Sequence, residues 1–284
     1  MSVIMGIVGY FIKKRLPQRV TDRLEKLYPT SLDEKITDIY KTYKEDGFID
    51  TDFGFKMYID YSDHVQFRYI YWDYSRWEIE QFTNLVDSTQ GDFVDIGANV
   101  GFYSLLFANL ADDTRTVHSF EPLPYNVDRL KINLQANGCD KIKIYEYGLG
   151  DAQKQAEITY SKSNRGAATL YKNDEGIRQT IQLKKLDRIG FIDSKEIGFL
   201  KIDVEGAEID VLSGGFKTLK NNCIPILLEV HYNQNRRKIK ILISILIELG
   251  YTQISVYDES YKLHLLDETN LPNELCERSH WVIN

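Results

Sequence analysis

The chain of 284 residues is predicted to form an α/β fold, a doubly wound and mostly parallel sheet preceded by an N-terminal, mainly helical cap region. Three observations predict it. From about residue 90 onward, short apolar runs alternate with amphipathic helical stretches, the order of a parallel sheet with helices on both faces. The runs are almost continuously apolar, as strands covered on both sides are. A glycine-containing turn joins the first of these strands to the helix that follows, where open α/β sheets bind ligands. The right-handed crossover rule then makes a doubly wound sheet the default.

The elements follow in order. Thr21 to Lys44 carries Leu24, Leu27, Ile36, Ile39, Tyr40 and Tyr43 near a 3.6-residue period and reads as helix, split at Pro29. Phe55 to Tyr61 alternates apolar and polar residues and reads as a strand. An aromatic-dense stretch, Phe67 to Trp77, leads into a helix through Val86. Strands are then expected at Phe93–Ile96, Val117–Phe120, Ile142–Tyr145, Phe199–Ile202 and Ile224–Val230. Helices are expected at Phe102–Leu110, Val127–Ala136, Ile209–Leu219 and Arg237–Leu249. Residues 152–183 are polar and alternating, with Asn164, Gly166, Asn173 and Gly176, and read as hairpin-like strands with a lid as one role. Ile254–Tyr257 and Trp281–Ile283 are candidate final strands. The expected division is a cap over residues 1–85 and a ligand-binding domain over 86–284.

Composition narrows the function. Hydrophobic residues make up 43% and charged residues 27%, an ordinary globular balance that argues against a disordered or fibrous chain. The net charge of −7, with no basic block, is a poor match for nucleic acid. Cys139, Cys223 and Cys276 are odd in number and dispersed, so neither a disulfide framework nor a cysteine zinc site is expected, and a cytoplasmic setting fits. Met1 to Ile12 is apolar and precedes Lys13-Lys14-Arg15. It is too short to span a bilayer, which needs about 20 residues. A helix packed against the protein is the preferred reading; peripheral membrane contact through residues 1–15 is the alternative.

Two motifs point to a ligand. Asp95-Ile96-Gly97-Ala98-Asn99-Val100-Gly101 lies between a strand and a helix. Glycines there allow close approach of a ligand to the backbone. The spacing is GxxxG, not the GxGxxG of a dinucleotide site. Asp95 would repel a pyrophosphate and suits an ammonium group; a plain strand-to-helix turn is the alternative. Ser119-Phe120-Glu121-Pro122 ends the second strand, and Glu121 lies 20 residues after Gly101. An acid at that point can accept hydrogen bonds from both hydroxyls of a ribose. Together the motifs suggest an adenosyl ligand without a pyrophosphate, which S-adenosylmethionine is.

The segments Phe93–Phe107 (FVDIGANVGFYSLLF), Phe120–Asn133 (FEPLPYNVDRLKIN), Gly148–Asp151 (GLGD), Leu186-Asp187, Leu200–Glu208 (LKIDVEGAE) and Leu228–His231 (LEVH) carry a specific resemblance. In this order they resemble the FkbM-type S-adenosylmethionine-dependent methyltransferases over roughly residues 90–235. The resemblance implies a class I (Rossmann-like) methyltransferase fold and, usually, O-methylation of a sugar or secondary-metabolite hydroxyl. It also implies cofactor contact by Gly148. Residues 1 to about 60 carry no matching motif and are where acceptor choice could differ.

The later motifs supply candidate catalytic groups. Asp203 and Glu205 end the fourth strand, Glu229 and His231 the fifth, each pair at i, i+2 and so on one side of its strand. Methyl transfer to an alcohol needs in-line alignment and a group that takes the hydroxyl proton. His231 is one candidate base, with a structural histidine as the alternative. Asp203 is the other, unless it holds the cofactor's ammonium group. Glu208 reads as an acid in a first helical turn. A divalent cation on Asp203, Glu205, Glu229 and His231 is a second mechanism, ranked below the metal-free route. A small-molecule or glycan acceptor is expected. A nicotinamide-dependent oxidoreductase and a non-catalytic S-adenosylmethionine-binding scaffold are the competing classes, and nitrogen methylation stays open.

Overall fold

In the computed structural model the structure describes residues 46–51, 53–60, 62–63, 66, 76–170, 176–190, 196–231, 236–257, 263–265 and 278–283. The expected helix over residues 21–44, the apolar run 1–15 and most of the aromatic stretch 67–77 lie outside them. The description begins with a hairpin of β1 (Gly47–Asp50) and β2 (Lys56–Ile59) and helix α1 (Arg76–Ser88). Then follow β3 (Asp92–Ile96), α2 (Phe102–Leu110), β4 (Val117–Phe120), α3 (Pro124–Ala136) and β5 (Ile142–Tyr145). An insertion supplies β6 (Gly148–Leu149), β7 (Lys154–Ser161), β8 (Asn164–Thr169) and β9 (Ile177–Lys184). The chain returns through β10 (Ile197–Ile202), α4 (Glu208–Gly214), α5 (Phe216–Asn222), β11 (Ile226–His231) and α6 (Arg236–Leu249). It ends in β12 (Ile254–Tyr257), β13 (Leu263–Leu265) and β14 (Arg278–Ile283).

The main sheet has the order β13-β12-β14-β11-β10-β3-β4-β5. Strands β11, β10, β3, β4 and β5 run parallel, and β14 enters antiparallel between β11 and β12. The chain winds outward from β3 to β5 and then crosses back to β10 on the other side of β3. The order therefore reverses between β3 and β10, the switch point at which such sheets open a ligand crevice. This is the class I methyltransferase arrangement that the resemblance implies.

Both faces of the sheet are covered. On one face Phe93 and Phe199 meet Phe82 of α1 and Phe107 of α2, with ring centroids 4.6–6.0 Å apart. On the other, Val94, Ile202 and Leu228 pack with Val211, Leu212, Leu219, Ile243 and Leu246 of α4–α6. Trp281 of β14 is fully buried in that second cluster. The hairpin is tied on by α3: Asn133 Oδ1 accepts from the Tyr58 N–H at 2.6 Å, and Asn137 bonds both backbone groups of Lys56.

One expectation changes and another is extended. The single helix over Ile209–Leu219 is two, broken at Gly215, because Gly214 and Gly215 press against other backbone and side-chain atoms. A Cβ on Gly214 would lie 1.9 Å from the Gly150 carbonyl oxygen, and one on Gly215 would lie 2.7 Å from Leu186 Cδ2. Residues 152–183 do form strands, and these join β6 in a separate four-stranded sheet of order β6-β9-β7-β8 with its own small core of Leu123, Ile158, Ile181 and Leu183. Among the described residues no helix is long and apolar enough to cross a membrane.

Candidate active site

A cleft opens at the carboxyl ends of β3, β4 and β10, beneath the four-stranded sheet. Ile96, Phe120, Pro122, Leu149, Ile158 and Leu183 give it apolar walls. Gly97, Asn99, Glu121, Asn126, Asp203 and Glu205 supply polar groups. Apolar walls with a few fixed polar groups are typical of a small-molecule site.

The turn after β3 is set by three left-handed residues, Gly97 (φ +83°), Asn99 (φ +51°) and Gly101 (φ +93°). At Gly97 the demand is also steric, since a Cβ would sit 1.8 Å from the Asp203 carbonyl oxygen. Gly101 serves packing: a Cβ there would meet Leu130 of α3 at 2.2 Å. Gly148, at the cleft wall, lies under Leu183 and Pro122.

Glu121 is nearly fully buried. Its Oε2 accepts the Asn99 N–H at 2.9 Å. Its Oε1 accepts the Leu123 N–H at 2.9 Å and an Asn126 Nδ2–H at 3.3 Å. Burial raises its pKa to about 7 despite these bonds. A carboxylate offers about four acceptor positions. Three are filled from within, which leaves one where the ribose expectation needs two.

Asp95 lies below the cleft and is not among its lining residues. It is 1% exposed, and its Oδ2 accepts the Ser104 hydroxyl at 2.6 Å. Burial raises its pKa against the opposing pull of Lys201. Lys201 stands beside it in register on β10 and is itself buried. The Lys201 ammonium lies 3.1 Å from Asp203 Oδ2 and 4.7 Å from the centre of the Tyr103 ring. Tyr103 in turn donates to Glu78. Burial alone would discharge this lysine, but Asp203, Asp95, Glu229 and Glu78 together keep its pKa above the ordinary lysine value.

Asp203 caps this cluster and opens on the cleft, with its side chain 24% exposed. Burial and then the neighbouring Glu229 carboxyl raise its pKa, against Lys201. Glu205 lies in a left-handed turn (φ +48°), where its carbonyl accepts the Thr169 hydroxyl of β8 at 3.0 Å. The Glu208 carboxylate accepts the Gly206 N–H at 2.7 Å and starts α4, as an acid in a first turn does. His231 closes β11 with its backbone opposite Arg278; its side chain lies outside the described residues. Among the described residues no group of three His, Cys, Asp or Glu side chains is arranged to hold a metal ion.

The cleft thus brings together Gly97, Asn99, Glu121, Pro122, Gly148, Asp203 and Glu205, with Glu229 behind Asp203. It places Asp95 and Gly101 underneath. Sequence reasoning missed Lys201, Glu78, Asn126 and Arg165. Strand alternation from Asp203 was enough to find Lys201, two residues earlier on the same side. Arg165 carried no such signal: it lines the cleft from β8, stacks 3.8 Å from the Tyr125 ring centre and pairs with Asp60 (3.2 Å) and Asp63 (3.4 Å). Asp60 accepts further bonds from Tyr125 and Ser62, and these outweigh burial and lower its pKa.

The model of the "Methyltransferase FkbM domain" family matches residues 95–252, more than half of the chain. AMB antimetabolite synthetase AmbE of Pseudomonas aeruginosa is 30% identical over 176 residues, 49% of this chain and 8% of that protein. Hexuronic acid methyltransferase AglP of Haloferax volcanii is 26% identical over 166 residues, 56% of this chain and 65% of that one. The crystal structure of methyltransferase FkbM from Methylobacillus flagellatus covers 80% of this chain and 56% of its own, at 16% identity and a TM-score of 0.45. The chain spans less than two thirds of the length of each of these proteins. With the FkbM model covering both the turn after β3 and the Asp203 cluster, the chain belongs to the FkbM methyltransferase family.

Proposed function

We propose that the chain transfers a methyl group from S-adenosylmethionine to a hydroxyl of a small molecule or glycan. The observation that carries this reading is the single cleft that Asn99, Glu121, Gly148 and Asp203 share, although they come from four separate segments. Its apolar wall of Phe120, Pro122 and Leu149 suits an adenine ring. The buried, hydrogen-bonded Glu121 suits a ribose hydroxyl. The cofactor supplies an electrophilic methyl on a positively charged sulfur.

The remaining steps fall to this chain's side chains. The turn from Gly97 to Gly101 and the roof of β7–β9 hold the reactants in line and exclude water. Asp203 takes the proton of the acceptor hydroxyl. Its raised pKa makes it a stronger base than an ordinary aspartate, and Lys201 keeps the ionised form in place. Glu229 stands behind it and raises its pKa. His231 is the second base candidate, and Glu205, Glu229 and His231 with Asp203 form the metal-assisted alternative. The reading takes residues 1–85 as the cap that selects the acceptor and residues 86–284 as the methyltransferase domain. It keeps a cytoplasmic setting, in line with the free thiols of Cys139 and Cys223.

The test is methyl transfer from labelled S-adenosylmethionine to a panel of neutral sugars, glycolipids and uronic acids, with and without EDTA. The uronic acids enter because AglP is a hexuronic acid methyltransferase. A base-stable methyl ether on one acceptor is expected, with turnover about 100-fold lower or worse in Asp203→Asn. Label in an amine, or full turnover in Asp203→Asn, would overturn the assignment.

A further inference from the structure

We infer that the ribose diol is divided between two residues, Glu121 taking one hydroxyl and Asn126 the other. The inference rests on the cofactor reading above and goes beyond it. An acid at the end of the second strand is expected to accept from both hydroxyls, yet Glu121 has one acceptor position left. Its Oε1 already receives Leu123 and Asn126, and its Oε2 receives Asn99. A fourth donor fits on Oε2; a fifth has no lone pair to meet.

Asn126 supplies the missing acceptor. It lines the same cleft from the first turn of α3 and is 2% exposed. Its amide orientation is fixed: reversed, it would turn its carbonyl oxygen onto the Glu121 carboxylate. With Nδ2 committed to Glu121, Oδ1 is buried without a hydrogen-bond partner among the described residues. A buried acceptor left without a donor is destabilising. A ligand hydroxyl beside Glu121 would supply the donor. The Glu121–Asn126 bond keeps the two side chains adjacent in the cleft wall, as the hydroxyls of a vicinal diol are adjacent on the ribose.

The experiment is calorimetry with S-adenosylhomocysteine and its 2′-deoxy and 3′-deoxy analogues on the wild-type chain, Glu121→Ala and Asn126→Leu. On the wild type each missing hydroxyl is expected to weaken binding about tenfold or more. In Glu121→Ala the penalty for one hydroxyl falls below about threefold while the other persists. In Asn126→Leu the pattern is reversed. Loss of both penalties in Glu121→Ala, with both retained in Asn126→Leu, would overturn the division and leave the cofactor reading intact. The analogue series on Glu121→Ala decides this even where Asn126→Leu does not fold. If S-adenosylhomocysteine does not bind the wild type at all, this inference falls together with the reading beneath it.

Discussion

Replacing Gly97 by alanine tests the turn on which the cleft is built. The left-handed φ of +83° costs alanine about 1–2 kcal/mol. The new Cβ would lie 1.8 Å from the Asp203 carbonyl oxygen, where contacts under 3.0 Å are essentially never seen. The turn and the end of β10 must therefore separate by more than 1 Å. Adjacent hydrogen bonds weaken with that movement: Asp203 N–H to the Ile96 carbonyl at 3.0 Å, and Gly97 N–H to the Phe120 carbonyl at 2.9 Å. At about 1 kcal/mol each, these bring the loss to about 3–4 kcal/mol. Gly138→Ala is the control. Its φ is +57° and nothing lies within 4 Å of the new Cβ, so only the conformational cost of about 1–2 kcal/mol applies. Urea denaturation of both variants at a shared m-value reads the difference. Affinity for S-adenosylhomocysteine should fall about tenfold or more in Gly97→Ala and stay at the wild-type value in Gly138→Ala. If the two variants unfold within 1 kcal/mol of each other, the close approach of the turn to β10 is not what requires the glycine.

Glu121 should impose a pH dependence on stability. Its folded-state pKa of about 7 lies above the ordinary 4.5, so the native state binds the proton more tightly than the unfolded chain. The contribution is full below pH 4.5, declines by about 3 kcal/mol as pH rises to 7 and is flat above it. Subtracting urea curves of Glu121→Gln from wild type between pH 4.5 and 8 should recover that slope, and parallel curves would contradict it. Arg115 is buried at the far end of the sheet, where it donates to the Gly91 carbonyl at 2.6 Å and the Val86 carbonyl at 2.8 Å and lies over the Phe107 ring. Arg115→Leu strands both carbonyls and should cost about 2–4 kcal/mol in thermal or urea unfolding, with S-adenosylhomocysteine affinity unchanged.

The central parallel strands β3 and β4 were legible because each is buried on both faces, and the edge strand β5 because two isoleucines and a tyrosine flank its exposed Lys143. Phe93–Ile96, Val117–Phe120 and Ile142–Tyr145 are expected within a residue of where they lie, and the turn that follows β3 announces itself by its glycines. The break at Gly215 was not legible, since its cause is Leu186, a residue nearly thirty positions away that no local period encodes. The antiparallel entry of β14 between β11 and β12 is likewise a tertiary choice. Glu121 and Asp203 were legible as residues of one cleft because strand ends in this architecture converge. Asp95 was placed one layer too high: an acid at a strand end can point under the crevice as easily as into it, and Ser104 takes it there. Lys201 escaped because a lysine in a strand reads as exposed, whereas four surrounding carboxyls make its burial tolerable. The Arg165 pairing spans 105 and 102 residues to its two aspartates, beyond the reach of any pattern along the chain.

The central claim is that this cleft holds an adenosyl donor with Glu121 at its ribose. Calorimetric titration of the wild-type chain and Glu121→Ala with S-adenosylhomocysteine, and with NAD as control, tests it most directly. Micromolar binding of S-adenosylhomocysteine, weakened at least about tenfold in Glu121→Ala and absent for NAD, is the predicted result. Binding of NAD alone, or equal binding of S-adenosylhomocysteine by both chains, would contradict it.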